Sequence, residues 1–261
     1  MPAGPDSPLA DAARLLAGAR RGVAFTGAGV SAESGITTFR GEGGLWTKYD
    51  PVQTASLAGF LADPAVYWRV SRDRWQTYRR AEPNPAHLAL AALEASGHLT
   101  AIVTQNTDGL HRRAGSRHIV ELHGEGGRVR CLSCGSEEPR AEVQARLSSE
   151  LPPLCRRCGG RHLKPTVVFF GEGLPAAALS AAIELAGTCD LLLIVGSSLT
   201  VNPAATLPDL ALRRGVPVLI VNPEPTPLDS RADAVLSGPA GLILPELMRL
   251  VTARGDSSPV L

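Results

Sequence analysis

The sequence predicts an α/β protein: a parallel sheet with helices on both faces, carrying a smaller inserted domain. Three observations lead there. Apolar runs such as "VAFTG", "TAIVT", "LLLIV" and "VPVLIV" are hydrophobic on both sides, as strands buried on both faces must be. Helical stretches alternate with them, the order that a parallel sheet requires. Two segments, 36–80 and 124–165, break the alternation. The first is aromatic and arginine-rich; the second is poor in apolar residues and holds most of the cysteines.

In chain order, Ser7 is placed to cap a helix over "SPLADAARLLAGARRG", with Pro8 in its first turn and Gly22 as its stop. "VAFTGAG" follows as a strand running into glycine. Residues 65–80 read as helical. Asn84 caps and Pro85 opens a helix through "NPAHLALAALEASG", which Gly97 ends. The strand "TAIVTQN", a helical turn and the strand "HIVELHG" come next. A helix over 175–187 leads to "DLLLIVGSS", one over 203–214 leads to "VPVLIVNPE", and a last helix occupies 240–252. Residues 253–261 are expected to form a flexible tail. The sheet domain therefore takes 1–35, 81–123 and 166–252, and 36–80 with 124–165 form the small domain.

Composition narrows the function classes. Of 261 residues, 44% are hydrophobic, enough for a substantial core, and 26 basic against 25 acidic side chains leave a formal charge of +1. Such balance gives no global attraction to nucleic acid or to an anionic membrane. No apolar run approaches the ~18 residues of a membrane span. "MPAGPDSPLA" has neither the basic start nor the apolar centre of a signal peptide, so a cytoplasmic, reducing location is expected. Cys131-x-x-Cys134 and Cys155-x-x-Cys158 then read as two knuckles of one four-cysteine zinc site rather than as two disulfides. Four thiolates leave no open coordination position, so the ion is structural. Cys189 reads as a small core residue. Oligomeric state is left open.

In an open parallel sheet, ligands bind beyond the carboxyl ends of the strands. Those ends read "TGAGVS", "TQNTD", "ELHG", "VGSS" and "VNPE", a shared set of small, amide, hydroxyl and imidazole groups suited to phosphates, hydroxyls and an amide. Gly27-Ala28-Gly29-Val30-Ser31-Ala32 fits the loose G-x-G-x-x-A form of a dinucleotide fingerprint, with glycine amides offered to a pyrophosphate, and makes the sheet Rossmann-like. A conventional dehydrogenase would follow it with a second strand and an acidic residue ~20 positions on. "GGLWTKYDP" stands there instead, and a ribose partner comes much later as Asn222 and Glu224.

Together, "GAGVSAESGITTFRG", "TQNTDGLH", "ELHG", the two CxxC pairs, "LKPTVVFFGE", "VGSSLTVNPA" and "VNPEPT" resemble, in order and spacing, the Sir2 family of NAD-dependent protein deacylases. The likeness covers residues 9–250, and "PNPAH" with "AGSRHIVELHG" is closest to the class II branch. The family's usual proline after "GI" is absent, with Thr37 and Thr38 in that loop, so altered loop stiffness is expected.

The resemblance implies roles. NAD is the co-substrate and an acyl-lysine protein or peptide the partner, the acyl group passing to ADP-ribose as nicotinamide leaves. Gln105, Asn106 and Asp108 line the nicotinamide pocket, and Asn106 and Asp108 belong to the catalytic set; without that context they would pass for turn residues. His123 is the general base, and histidine suits the task because it titrates near neutrality. Gly27, Ala28, Gly29, Ser31, Gly196, Ser197 and Ser198 hold the cofactor's phosphates and ribose, Arg40 meets the phosphates, and Phe39 covers the ribose face. Asn222 and Glu224 take the adenosine ribose and Ala240 lies near the adenine. Val168, Phe170, Gly171 and Glu172 bind the peptide by strand addition, with Val168 and Phe170 along the acyl-lysine tunnel. His111 supports its loop, and His87, His98, His118 and His162 are surface or packing residues. Relatives that remove succinyl or malonyl groups carry Tyr-x-x-Arg in the helical insertion; here Tyr67 is followed by Val70, so desuccinylation is not expected. Mono-ADP-ribosyl transfer from the same site, and a non-catalytic NAD-sensing zinc-ribbon adaptor, are the alternative functions. Hydride transfer is a further one, distinguished by a change in nicotinamide absorbance without its release.

Overall fold

The computed structural model describes residues 7–41 and 43–255. Helix α1 (Pro8–Gly18) is capped by Ser7, whose Oγ accepts from the Ala10 amide. It stops at Gly18 rather than Gly22. Gly22 instead opens strand β1 (Gly22–Thr26), where a Cβ would stand 2.3 Å from the carbonyl oxygen of His98, so only glycine lets the next strand approach.

A 3-10 helix (Ala28–Ser34) follows, then another (Leu45–Thr47). Three helices come next: α2 (Pro51–Ala55), α3 (Leu57–Ala62) and α4 (Pro64–Arg80). Their caps, Asp50, Ser56 and Asp63, each accept a backbone amide, and α2 and α4 begin with proline. The first two helices go beyond the single helix predicted at 65–80. Helix α5 (Pro85–Ala95) carries the predicted Asn84 cap as a full capping box, completed by His87. Strand β2 (Leu99–Thr104), helix α6 (Leu110–Arg113) and strand β3 (Ile119–Glu121) lead into β4 (Gly124–Cys131), β5 (Glu137–Pro139), α7 (Arg140–Arg146) and β6 (Leu163–Val167).

Helix α8 (Ala176–Thr188) and strand β7 (Leu191–Val195) precede a stretch predicted as one helix. It forms a 3-10 turn (Ala204–Thr206) and a short α9 (Pro208–Arg213), because Pro208 has no amide to continue an earlier turn. Strand β8 (Val218–Asn222) pairs with β9 (Ala234–Ser237), an edge strand the sequence did not reveal. Helix α10 (Ala240–Gly255) runs three residues into the expected tail, whose remainder, 256–261, lies outside the described residues.

The main sheet has the order β3-β2-β1-β7-β8-β9 and is parallel throughout. Alternate side chains feed two cores. Ala24, Ile102 and Leu193 pack under α1, α5 and α10 with Leu16, Leu90 and Leu247. Phe25, Val103, Ile194 and Ile220 pack on the opposite face with Leu207 and Ala211. Helices on both sides explain the uninterrupted apolar strands. A second, antiparallel sheet has the order β5-β4-β6. Its core joins Val129, Leu147 and Leu163 to Phe60 and Trp68 of the helical insertion, and Trp68 Nε1 donates to the Leu163 carbonyl at 3.0 Å. Among the described residues no helix is long and apolar enough to cross a membrane.

Candidate active site

Strand order reverses between β1 and β7, the place where an open parallel sheet leaves a crevice. A cavity of about 700 Å³ opens there and extends to the second sheet. Every residue expected to bind NAD, carry catalysis or bind peptide lines this one cavity, from Gly27 to Ala240.

The glycines act differently from the expectation. The Gly27 amide donates to Val195 and that of Gly29 to Gly196, at 3.0 and 2.8 Å, so neither is free for a phosphate. A Cβ on Gly29 would sit 2.8 Å from the Gly196 Cα. These glycines let the loops after β1 and β7 cross in contact, and among the described residues the Ala28 amide is the one left without an acceptor at that turn. Gln105 ties the same wall, donating from Nε2 to Ser197 Oγ at 2.9 Å. Ser198 pairs with Thr200 at 2.9 Å. On the adenosine side, Asn222 Nδ2 donates to the Glu224 carbonyl at 2.6 Å, Ala240 is buried, and Glu33 Oε2 accepts the Gly241 amide at 2.6 Å.

The loop containing Thr37 and Thr38 is held by hydrogen bonds instead of a proline ring. Thr38 Oγ1 donates to the Arg40 carbonyl at 2.8 Å, and Leu45 and Trp46 donate back to Thr38 and Phe39. Phe39 is 47% exposed and lies 5.2 Å from the Trp46 ring, which in turn is 6.3 Å from Phe170. A row of aromatic rings thus joins the cofactor loop to the peptide segment.

Beneath the cavity lies a buried polar chain. Ser31 Oγ donates to Asp108 Oδ2 at 2.7 Å and accepts from Asn106 Nδ2 at 3.0 Å. Asp108 Oδ1 accepts the Leu110 amide at 2.9 Å. Because the Ser31 proton is committed to Asp108, His87 Nε2, 3.3 Å away, must donate to Ser31, and its Nδ1 accepts the Asn84 amide. Thr26 Oγ1 donates to Thr104 Oγ1 at 2.8 Å and so accepts from His111 Nε2 at 2.9 Å. Both histidines are therefore fixed as the neutral Nε2–H tautomer. Burial holds His87 down to about 4, partly offset by Asp108, and His111 down to about 3, with His87 adding repulsion. Of the two expectations for His87, surface or packing, the structure shows packing: it is 0% exposed and also joins this buried chain through Ser31. The PNPAH motif held the signal, in its capping-box position.

His123 hangs at the end of β3. Its Nδ1 lies 2.9 Å from the Gln105 carbonyl, which can only accept, so Nδ1 carries the proton and Nε2 is a free base on the cavity. Burial lowers its pKa, and the Gln105 carbonyl opposes part of that shift. The His123 carbonyl accepts the Val168 amide at 2.8 Å, fastening the base to the peptide segment.

In that segment, Phe170 is already paired on both sides, its amide to Ala55 and its carbonyl from Leu57. Gly171 adopts φ 89°, and the Glu172 carboxylate faces inward to Lys164 Nζ and the Phe169 amide, both at 2.7 Å. Glu172 therefore orders the segment from within.

The four predicted cysteines converge, their Sγ atoms all within 4.8 Å of one another. Separations of 3.6 Å for Cys131–Cys158 and 3.7 Å for Cys134–Cys155 are far too long for disulfides. They match the ~3.8 Å edge of a tetrahedron with ~2.3 Å Zn–S bonds. Cys189 is buried elsewhere, beside β7.

A Rossmann-like sheet with a polar switch-point cavity and a four-cysteine cluster defines a zinc-containing nucleotide-binding enzyme class. The Sir2 family model matches residues 27–203. The chain is 49% identical over 242 residues to NAD-dependent protein deacylase 2 of Pyrobaculum aerophilum, covering 93% of this chain and 95% of that one. It is 49% identical over 248 residues to NAD-dependent protein deacylase 1 of Pseudomonas aeruginosa, covering 90% and 96%. Among solved structures, Sir2Af2 bound to a myristoylated histone peptide superposes with a TM-score of 0.82 at 38% identity, over 96% and 99% of the two chains. A Sir2 complex with a deacetylated p53 peptide and 3′-O-acetyl-ADP-ribose gives 0.88 at 37% identity, over 96% and 99%. The protein belongs to the Sir2 family.

Proposed function

We propose that this protein is an NAD-dependent protein-lysine deacylase that transfers the acyl group to ADP-ribose and releases nicotinamide. The observation that carries the reading is His123, held by the Gln105 carbonyl so that a free Nε2 faces the cavity that Asn106 and Asp108 line. NAD supplies the electrophilic ribose carbon that the acyl oxygen attacks as nicotinamide departs.

The chain's own groups do the rest. Asn106 and Asp108, locked by Ser31, present amide and carboxylate groups to the nicotinamide carboxamide. Arg40, Ser197, Ser198 and the Ala28 amide hold the phosphates and neighbouring ribose, and Asn222 with Glu224 hold the adenosine ribose beside Ala240. Phe39 covers the reacting face against water. His123 Nε2 accepts the proton of the ribose hydroxyl whose oxygen takes the acyl group. Val168 and Gly171 pair with the peptide backbone, with Val168 and the Phe170 ring along the acyl-lysine. Cys131, Cys134, Cys155 and Cys158 hold one zinc, whose closed coordination staples the second sheet rather than acting on substrate. A cytoplasmic setting keeps these thiols reduced.

The test is nicotinamide release from NAD with a panel of acyl-lysine peptides, for wild type and His123→Ala. Release should depend on peptide, match deacylated product, and fall by about 10²–10⁴ in the variant. Release without deacylated peptide would assign ADP-ribosyl transfer or NAD hydrolysis instead. NAD binding with no release for any peptide would assign the adaptor role.

A further inference from the structure

The side chains that meet the nicotinamide in the scheme above are rich in acceptors and short of donors. A carboxamide needs both, because its nitrogen donates and its oxygen accepts. Asn106 Nδ2 spends its two protons on Ser31 Oγ at 3.0 Å and Asp108 Oδ2 at 3.3 Å. Gln105 Nε2 spends its pair on Ser197 Oγ at 2.9 Å and the Thr26 carbonyl at 3.4 Å. The Ser31 proton goes to Asp108. The oxygens of Asn106 and Asp108 can therefore take the carboxamide protons, but this set has no side-chain donor left for the carboxamide oxygen.

Thr37 stands beside them with unspent donors. The Ile36 amide donates to the Ser31 carbonyl at 3.4 Å, which ties the loop to the residue that locks Asn106 and Asp108. Thr37, next along, lines the main cavity and also shares a side pocket of about 80 Å³ with Thr77 and Tyr78 of α4. Tyr78 Oη donates to the Thr107 carbonyl, between Asn106 and Asp108. Through Ile36 and through the side pocket, Thr37 thus adjoins two residues bonded to the 106–108 segment. Among the described residues neither its amide nor its hydroxyl has a partner. Thr38 differs, because its hydroxyl is spent on the Arg40 carbonyl. The family's usual proline would offer neither donor at position 37.

We infer that Thr37 is a specificity-determining residue for nicotinamide: its hydroxyl donates to the carboxamide oxygen, while the oxygens of Asn106 and Asp108 accept from the carboxamide nitrogen. The inference rests on the placing of nicotinamide at Asn106 and Asp108 in the deacylase reading. The leaving group is then recognised at both atoms of its substituent, before and after its bond to the ribose breaks.

The experiment measures equilibrium binding of nicotinamide and thionicotinamide to the ADP-ribose-loaded protein. The two rings keep the same amino group and differ in the acceptor, sulfur being much the weaker. Wild type should bind nicotinamide about 3–10-fold more tightly, the effect of one neutral hydrogen bond. Thr37→Val, which removes the hydroxyl with little change of shape, should abolish that preference by weakening nicotinamide alone, and Thr37→Ser should keep it. Because both rings are compared on the same loaded protein, a general change in the loop cancels from the ratio. A wild type without the preference, or a preference that survives Thr37→Val, overturns the inference. Acyl turnover does not enter the readout. A shifted ratio in a protein that deacylates no peptide upholds the role of Thr37 while the deacylase reading fails; a deacylase whose ratio does not shift keeps its function and loses this inference. If neither ring binds the loaded protein, the inference is overturned together with the placing of nicotinamide.

Discussion

Acid should destabilise this protein through His87 and His111 before most carboxylates titrate. Both folded-state pKa values are depressed, to about 4 and about 3, against about 6.5 in the unfolded chain. The folded state therefore binds fewer protons than the unfolded one. Their contribution is fully present above pH 6.5 and is lost as pH falls towards 4 and then 3. The cause is visible in the contacts: a proton added to His87 Nδ1 would face the Asn84 amide, and one added to His111 Nδ1 would face no acceptor. From pH 7.5 to 5 each histidine forfeits about 2 kcal/mol, so the pair forfeits about 4 kcal/mol. That is a large part of a typical total of about 5–15 kcal/mol. The assay is urea unfolding followed by tryptophan fluorescence at intervals between these pH values, for wild type and His111→Gln. Glutamine can still donate to Thr26 but does not titrate. Thiolate protonation and displacement of His123 act on both proteins, so the decisive quantity is the difference between the two curves. Wild type should lose about 2 kcal/mol more than the variant over this range. Parallel curves would refute the argument that buried neutral histidines set the acid limit.

Two further outcomes follow from buried groups elsewhere. Glu172→Gln removes the carboxylate from Lys164, whose side chain is 7% exposed, leaving its ammonium to the carbonyls of Val167 and Pro165. A cost of about 3 kcal/mol is expected, a fall of roughly 6–12 °C in Tm, and an unchanged melt would show the pair to be neutral. Metal analysis should find one zinc per chain, lost on chelation or in Cys155→Ala together with a lowered Tm; a chain purified without zinc and melting unchanged would sink the four-cysteine assignment.

Legibility in the sequence followed the range of each interaction. Ser7, Pro8, Asn84 and Pro85 mark helix starts because capping is settled within four residues. The CxxC pairs and the polar strand ends are likewise local patterns placed by a regular sheet. Gly22 misled because glycine is as useful for close strand approach as for ending a helix, and the deciding atom is the His98 carbonyl, far along the chain. The amides of Gly27 and Gly29 misled for the same reason, being spent on the β7 loop. Strand β9 escaped because four residues with one pairing partner carry too little periodicity.

The same distinction divides the cavity. Its cofactor half is made from the ends of adjacent strands, where each contribution is a short motif and the sheet alone brings them together. Its far half is made from α4 and α7, joined through the shared core of Phe60, Trp68, Val129 and Leu163. Tyr67, Arg74 and Arg140 meet only because that core forms, and each alone reads as an ordinary helix residue. A spacing rule of the Tyr-x-x-Arg kind tests one helix for two groups. It cannot register an arginine delivered by the zinc-bearing module, whose position depends on Cys131 and Cys155 being held together. The contact of Arg140 with Tyr67 is thus a property of how the two insertions pack.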